Sequence, residues 1–431
     1  MKGLVFTYLL TYGGAAVALV NPFVGLLIYI CFAIIKPEAM WHWAVPIGNY
    51  SRIVAVALLI GWLLQGFGNW SFGRARLTVI SLIGFMLWAT VGALVAPNPA
   101  RSWDFIETMA KIVLPFLVGI TTIDSVQKLK QLAWVIVLSQ GYLAYDLNVS
   151  YYSGYNRVWM EGFADMDNNC VAISMVSCVG LAFFLGLQTK SWLGKALALL
   201  SSLLMTHVIM FSFSRGGMLA LIITMCVAYR FIPKKPSHLL IFALVVLVGW
   251  RLAGQQVIER FMSSFNSPQE LDESARSRLE LWRACLDTMG KHPILGVGPN
   301  HWGLAVEQYG FVRGKFAHTL WLQIGAELGI PGLLCLLVFY GSCVLRLWPL
   351  TKATSPVVDP WFREAGRMVV AGLIGFVVAA QFVSLYGLEV SYYIALIGAG
   401  VLKLSTCPSA SAVAEPAHAP AVPQYVAAGR A

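Results

Sequence analysis

An all-α polytopic transmembrane helical bundle of about 12–13 spans is the fold class this sequence predicts. Three observations predict it. Of 431 residues, 58% are hydrophobic and 12% charged, whereas an ordinary soluble domain carries roughly 25% charged residues. Apolar runs of about 17 residues or more recur along the chain, the length needed to cross hydrocarbon roughly 30 Å thick. The net charge of +10 sits largely in short connectors. In a soluble protein it would suggest nucleic acid; here positive-inside topology and lipid headgroups account for it better.

Taken in order, Leu4–Val20 and Phe23–Ile35 are apolar segments joined at Asn21-Pro22. They form either a hairpin or one kinked segment. The first, behind Met1-Lys2-Gly3, lacks a small-residue cleavage site and reads as retained. An aromatic connector follows, Lys36 to Tyr50, with Trp41 and Trp43 suited to a membrane interface. Further spans are expected at Ile53–Phe67, Leu77–Val95, Ile106–Ile120, Leu132–Leu147, Val171–Leu187, Leu193–Phe211, Gly217–Ile232 and Leu239–Leu252. After a long helix opened by His318, the last fall near Met368–Leu385 and Val390–Leu402. Tyr142 to Asn169 reads as a polar loop whose tyrosines, tryptophan and carboxylates suit sugar or headgroup contact; an ordinary interfacial loop has the same composition.

Lys190 and Lys195 flank one connector, and Arg230, Lys234 and Lys235 the next but one. The positive-inside rule puts both in the cytoplasm. The turn Phe213–Gly216 and the loop after Leu252 then face outward, and Arg346, Lys352, Arg363 and Arg367 mark another cytoplasmic return. Within the large loop, Leu279, Trp282, Leu286 and Met289 recur on one face of a helix. Gly290 and Pro293 stop it. The cysteines show no metal or disulfide spacing, and no H-E-x-x-H or paired-carboxylate motif appears, so no metal is expected.

Three side chains stand out as chemistry. Arg215, in S-F-S-R-G-G, heads a helix at a tight turn. Its guanidinium could grip phosphate oxygens bidentately while the two glycines let a ligand approach the backbone. Arg278, in R-L-E-L-W, would alone mark an ordinary amphipathic helix. His318, expected in the first turn of its helix, meets the positive end of the helix dipole, and Lys315 and Arg313 push the same way. Its imidazole should stay neutral and could serve as a general base toward a hydroxyl.

Together, S-R-G-G at Ser214–Gly217, R-L-E-L-W and H-P-I-L-G-V-G-P between Arg278 and Pro299, and H-T followed by G-I-P-G at Gly329–Gly332 resemble the O-antigen ligase and O-antigen polymerase superfamily. Thr319 departs from the Asn, Ser or Arg usual after that histidine. I-K-P-E-A-M-W at Ile35–Trp41 and D-N-N at Asp167–Asn169 are similar to a narrower group, the exosortase A-associated O-glycosylation ligases. The resemblance implies a GT-C-type membrane glycosyltransferase of the bacterial inner membrane. It would carry an N-terminal transmembrane region (1–121), an O-antigen ligase-like domain (122–404) with a periplasmic loop at 253–317, and a disordered Ala/Pro-rich tail (405–431). It implies transfer of a glycan from undecaprenyl pyrophosphate to a hydroxyl of a protein, lipid or polysaccharide acceptor on the periplasmic side, with no metal or other cofactor. Arg215 and Arg278 would bind the pyrophosphate and His318 would activate the acceptor. A glycan polymerase of the same superfamily, or a flippase that moves lipid-linked sugar without bond-making, are the rival expectations.

Overall fold

Asn21 decides how the chain starts. Its extended backbone interrupts the helix, and its side chain accepts from the Val24 amide to cap the next one, with Pro22 at the first helical position. Helices α1 (Lys2–Val20) and α2 (Pro22–Ile35) therefore form a hairpin. Gly25 lets the two approach so closely that a Cβ there would lie 2.5 Å from that of Ala18. The computed structural model describes residues 2–405 apart from most of 233–272 and positions 356 and 358. The span expected at Leu239–Leu252, the loop before 273 and the tail after 405 lie outside the described residues.

The remaining helices run up and down through one bundle: α3 (Tyr50–Leu64), α4 (Arg76–Val95), α5 (Pro99–Thr122), α6 (Val126–Tyr152), α7 (Asn168–Gln188), α8 (Trp192–Phe211) and α9 (Arg215–Phe231). After α10 (Glu273–Lys291) come α11 (Leu320–Leu347), α12 (Pro360–Ala379) and α13 (Glu389–Leu404). Among the described residues seven helices are long and apolar enough to cross a membrane, fewer than the 12 or 13 expected. The difference has local causes. α12 begins with Arg363, Glu364 and Arg367, α6 carries Lys128, Lys130 and Asp146, and α3, α9 and α13 are short. The expected loop from Tyr142 shrinks as well, because α6 runs on to Tyr152. Asn148 bonds the Leu204 carbonyl and the His207 ring of α8, and Tyr151 and Tyr152 stack on Phe211 and His207. Groups that looked ready for sugar hold two helices together.

The two ends of the bundle differ in chemistry. At one, basic side chains cap carbonyls at or beside helix ends: Lys403 reaches Ile120, Lys128 reaches Thr122, Arg346 reaches Arg74 and Arg367 reaches Thr351. The other end holds the turns before α7, α9 and α11 and the 380–388 connector.

α11 is broken. Gly329 has φ 69° and ψ −175°, a conformation essentially restricted to glycine, and Pro331 offers no N–H to the Glu327 carbonyl. In a membrane protein such groups must find partners within the protein. Val297 N–H donates to Ala326 O (2.9 Å), Gly298 N–H to Glu327 O (3.0 Å) and Trp88 Nε1–H to Leu328 O (2.9 Å). Ile330 N–H turns outward to Pro293 O at 2.8 Å. The P-I-L-G-V-G stretch is thus the hydrogen-bonding complement of the G-I-P-G break. A Cβ on Gly329 would overlap the Ile294 carbonyl, whereas one on Gly341, in the same helix, meets nothing within 4 Å. Gly329→Ala is expected to cost roughly 1–3 kcal/mol or more, read by thermal unfolding in detergent, and to speed amide exchange in 293–298. Gly341→Ala should leave both unchanged or slightly improved.

Candidate functional site

Two turns and one surface helix build the site. The first turn, Ser212 to Arg215, is held by the D-N-N start of α7. Asn168 Nδ2 donates to Ser212 O, and Ser214 Oγ donates to Asn169 Oδ1, both at 2.8 Å. The clamp keeps Phe213 in a left-handed backbone (φ 55°) and presents Ser214 as the cap of α9, accepting from Gly217 N–H at 3.2 Å. Arg215, half-buried, is therefore the first residue of α9. The two glycines behind it serve packing. A Cβ on Gly216 would sit 2.7 Å from Phe382, and one on Gly217 would sit 2.8 Å from Ala172 of α7. Neighbouring side chains fill the space that the sequence suggested for a ligand.

The second turn carries His318. It lies just before the capping position of α11, occupied by Thr319, and not in the first helical turn as expected. Its backbone is left-handed (φ 52°), which a bulky residue rarely adopts and which clusters at functional sites. Three contacts hold the turn open: Trp282 Nε1–H donates to Ala317 O (3.1 Å), Ala317 N–H to Gln323 Oε1 (3.2 Å) and Thr319 N–H to Ser384 Oγ (3.2 Å). Leu320 N–H adds a bond to Ala380 O at 2.8 Å. The 380–388 connector thus touches both turns, through Phe382 at Gly216 and through Ala380 and Ser384 at Leu320 and Thr319.

Arg278 arrives from α10. Leu281, Ala284, Cys285 and Thr288 form the buried face of that helix, packed with Trp302, Val306, Ala317 and Ala326 in a small core of their own. Leu279 and Leu286 are exposed, so the apolar face expected through Leu279, Trp282, Leu286 and Met289 is rotated. Small residues and Thr288, which bonds the Ala284 carbonyl, make the close face. Arg278 stands one turn before Trp282, the residue that latches to Ala317. Its charge acts on the imidazole: burial pushes the His318 pKa below the ordinary histidine value, and Arg278 and then Lys315 push it further, against a smaller opposing pull from Asp167. The direction and the Lys315 contribution agree with expectation, but burial and Arg278 lead, and Arg313 instead faces Glu307 at 4.0 Å. Arg278 and His318 come within electrostatic reach, while the helix that Arg215 heads packs on the same 380–388 connector as the His318 turn.

Two polar groups behind the site escaped notice. Glu327 is 1% exposed; its Oε1 accepts from Trp302 N–H (3.1 Å) and Gln323 Nε2 (3.3 Å), while Oε2 has no partner among the described residues. Gln323 in turn holds Ala317, so Glu327, Gln323 and the His318 turn form one chain of bonds. The signal was present: a carboxylate four residues after a glutamine in an apolar membrane helix. His301 is structural, with Nδ1–H donating to Pro299 O (2.8 Å) and Nε2 accepting from Asn98 N–H (3.1 Å). Among the described residues no three His, Cys, Asp or Glu side chains gather as a metal-ligand set.

Compared with known proteins, residues 200–337 match the family model described as O-Antigen ligase, and residues 1–184 match one described as a family of unknown function (DUF5935). No curated protein matches the chain. The first match spans both turns, α10 and the break in α11; the second covers α1 to α6 and most of α7. The chain is therefore a membrane protein with an O-antigen-ligase-like domain.

Burial and the Arg278 charge favour the neutral imidazole in the folded protein, so its turn should lose stability as pH falls through the ordinary histidine value toward the lowered one. Nitrogen-15 NMR of His318 should show that depressed titration, and Arg278→Gln should raise it by removing the cation. Glu327→Ala should cost about 2 kcal/mol by stranding the Trp302 amide and Gln323, and calorimetry should find Glu327→Gln closer to wild type.

Proposed function

We propose that the protein is a GT-C-type glycosyltransferase of the inner membrane, a ligase that moves a glycan from undecaprenyl pyrophosphate to an acceptor hydroxyl on the periplasmic face. The observation that carries this reading is the meeting of a neutral-biased imidazole with the Arg278 cation, beside the Arg215 turn, at one end of an apolar bundle. The match of residues 200–337 to the O-antigen ligase model supports it. The outward orientation draws support from the basic carbonyl-capping side chains at the opposite end.

The chemistry follows from the charges. The acceptor hydroxyl gives its proton to His318 as its oxygen attacks the anomeric carbon. The bond from that carbon to the pyrophosphate oxygen breaks, and the electron pair leaves on undecaprenyl pyrophosphate. Negative charge grows on the departing diphosphate, where the Arg215 and Arg278 guanidinium groups offset it most strongly in the transition state. Attack from the side opposite the leaving group inverts the anomeric centre. A neutral base suits the task, since a protonated imidazole cannot take the hydroxyl proton. The likeness to exosortase A-associated O-glycosylation ligases makes a protein hydroxyl the first acceptor to test.

In a reconstituted reaction with lipid-linked glycan, His318→Ala should lower transfer by roughly 10²–10⁴-fold with donor binding unchanged. Arg215→Ala and Arg278→Ala should weaken donor binding by roughly 10–100-fold. Full transfer by His318→Ala, or movement of the lipid-linked glycan across the bilayer with no new glycosidic bond, would overturn the reading. Mass spectrometry of the product separates attachment to a new acceptor from chain-to-chain elongation.

A further inference from the structure

The N-terminal helices border a recess that the chemistry above does not use. It is a cavity of about 550 Å³ between α2, α3, α5, the first residue of α13 and the 164–165 turn. That volume falls within the usual range for small-ligand sites. Its lining is charged and balanced: Lys36, Arg52 and Lys111 against Glu38, Asp165 and Glu389. Arg52 and Lys111 share Glu107 as an ion-pair partner, at 3.1 and 2.8 Å. Among the described residues Lys36, Glu38, Asp165 and Glu389 form no ion pair within 4.0 Å.

The backbone around this recess is also unusual. Seven non-glycine residues of the described chain have positive φ, and three of them line it: Lys36 (φ 44°), Ala164 (φ 49°) and Asp165 (φ 65°). Such strain persists only where the surroundings enforce it, and it gathers at functional sites. The recess is linked to the proposed site through the chain. Asp165 lies in a tight turn closed by the Phe163 and Met166 backbone pair, two residues before Asp167, whose charge reaches His318. Arg157 ties the same loop to the cavity rim, donating to Ala39 O at 3.0 Å. Glu389 follows directly on the 380–388 connector.

We infer that this cavity is a carbohydrate subsite, holding a sugar of the substrate next to the unit being transferred; the inference rests on the glycan-transfer reading above. Carboxylates and cations that face one recess suit a ligand that both donates and accepts. An apolar lipid tail does neither, and a diphosphate would meet three carboxylates. Sugar hydroxyls donate to Asp165 and Glu389 and accept from Lys36 and Arg52 in charge-assisted bonds, while the Tyr29 and Phe32 rings offer apolar surface to a pyranose.

The probe is the soluble oligosaccharide released by mild acid from the polyprenyl-linked glycans of the cells that make the protein. It is titrated onto the full chain in lipid nanodiscs by saturation-transfer NMR. It carries neither lipid nor diphosphate, so Arg215 and Arg278 are not needed to hold it. Wild type, Arg215→Ala and His318→Ala should bind it alike. Lys36→Asn and Asp165→Asn, both replacements that tolerate a left-handed backbone, should bind about tenfold more weakly or worse with thermal transitions unchanged. Unchanged affinity of these two variants, or competition by sugar-free undecaprenyl phosphate, overturns the inference. No turnover is read, so loss of the transfer reaction and loss of the subsite are separate results.

Discussion

Carbonyls freed where a buried helix breaks have no water to turn to, and α11 breaks at Gly329–Pro331, among buried residues. The donors that answer them come from backbone amides of Val297 and Gly298 and from the Trp88 indole, while the Ile330 amide is answered by Pro293. That exchange anchors the segment between α10 and α11 to the bundle. Once 293–298 is docked, Trp302 and Glu327 meet, the small core under α10 closes, and Trp282 lies against Ala317. The histidine turn depends on a helix break well below it.

Both turns at the site are strained and held from outside. Phe213 and His318 each take a left-handed backbone, and each is fixed by bonds from other elements: Asn168 and Asn169 for the first, Trp282, Gln323 and Ser384 for the second. Strain supported in this way fixes the backbone beside Arg215 and at His318 in one conformation. The 380–388 connector touches both turns, so the arginine and the histidine share a support though they are far apart in the chain.

Much of this was legible from residues alone. Asn21-Pro22 marked the first helix junction, and the motifs around Arg215, Arg278 and His318 lie at one end of the bundle, as their placement between apolar runs suggested. The misreadings share a cause. The loop expected from Tyr142 starts only after Tyr152 because Asn148 and the tyrosines satisfy themselves on α8. The apolar face of α10 is rotated because Ala284, Cys285 and Thr288 permit a closer approach than Leu279 and Leu286. Gly216 and Gly217 make room for Phe382 and Ala172, not for a ligand. In each case a polar or small residue was judged by its solvent preference, and a neighbour remote in sequence set its role.

By itself the sequence determined that this chain lives in a membrane and roughly where its helices run, because apolar run length and charge are properties of local composition. Tertiary structure alone decided that P-I-L-G-V-G completes the break at G-I-P-G, that Asn168 and Asn169 clamp the arginine turn, and that charges from α2, α3 and the 164–165 turn face one cavity. Those are pairings of hydrogen-bond donors with acceptors, and of charges with empty space, across long stretches of chain. No local pattern encodes which partner a buried polar group will find.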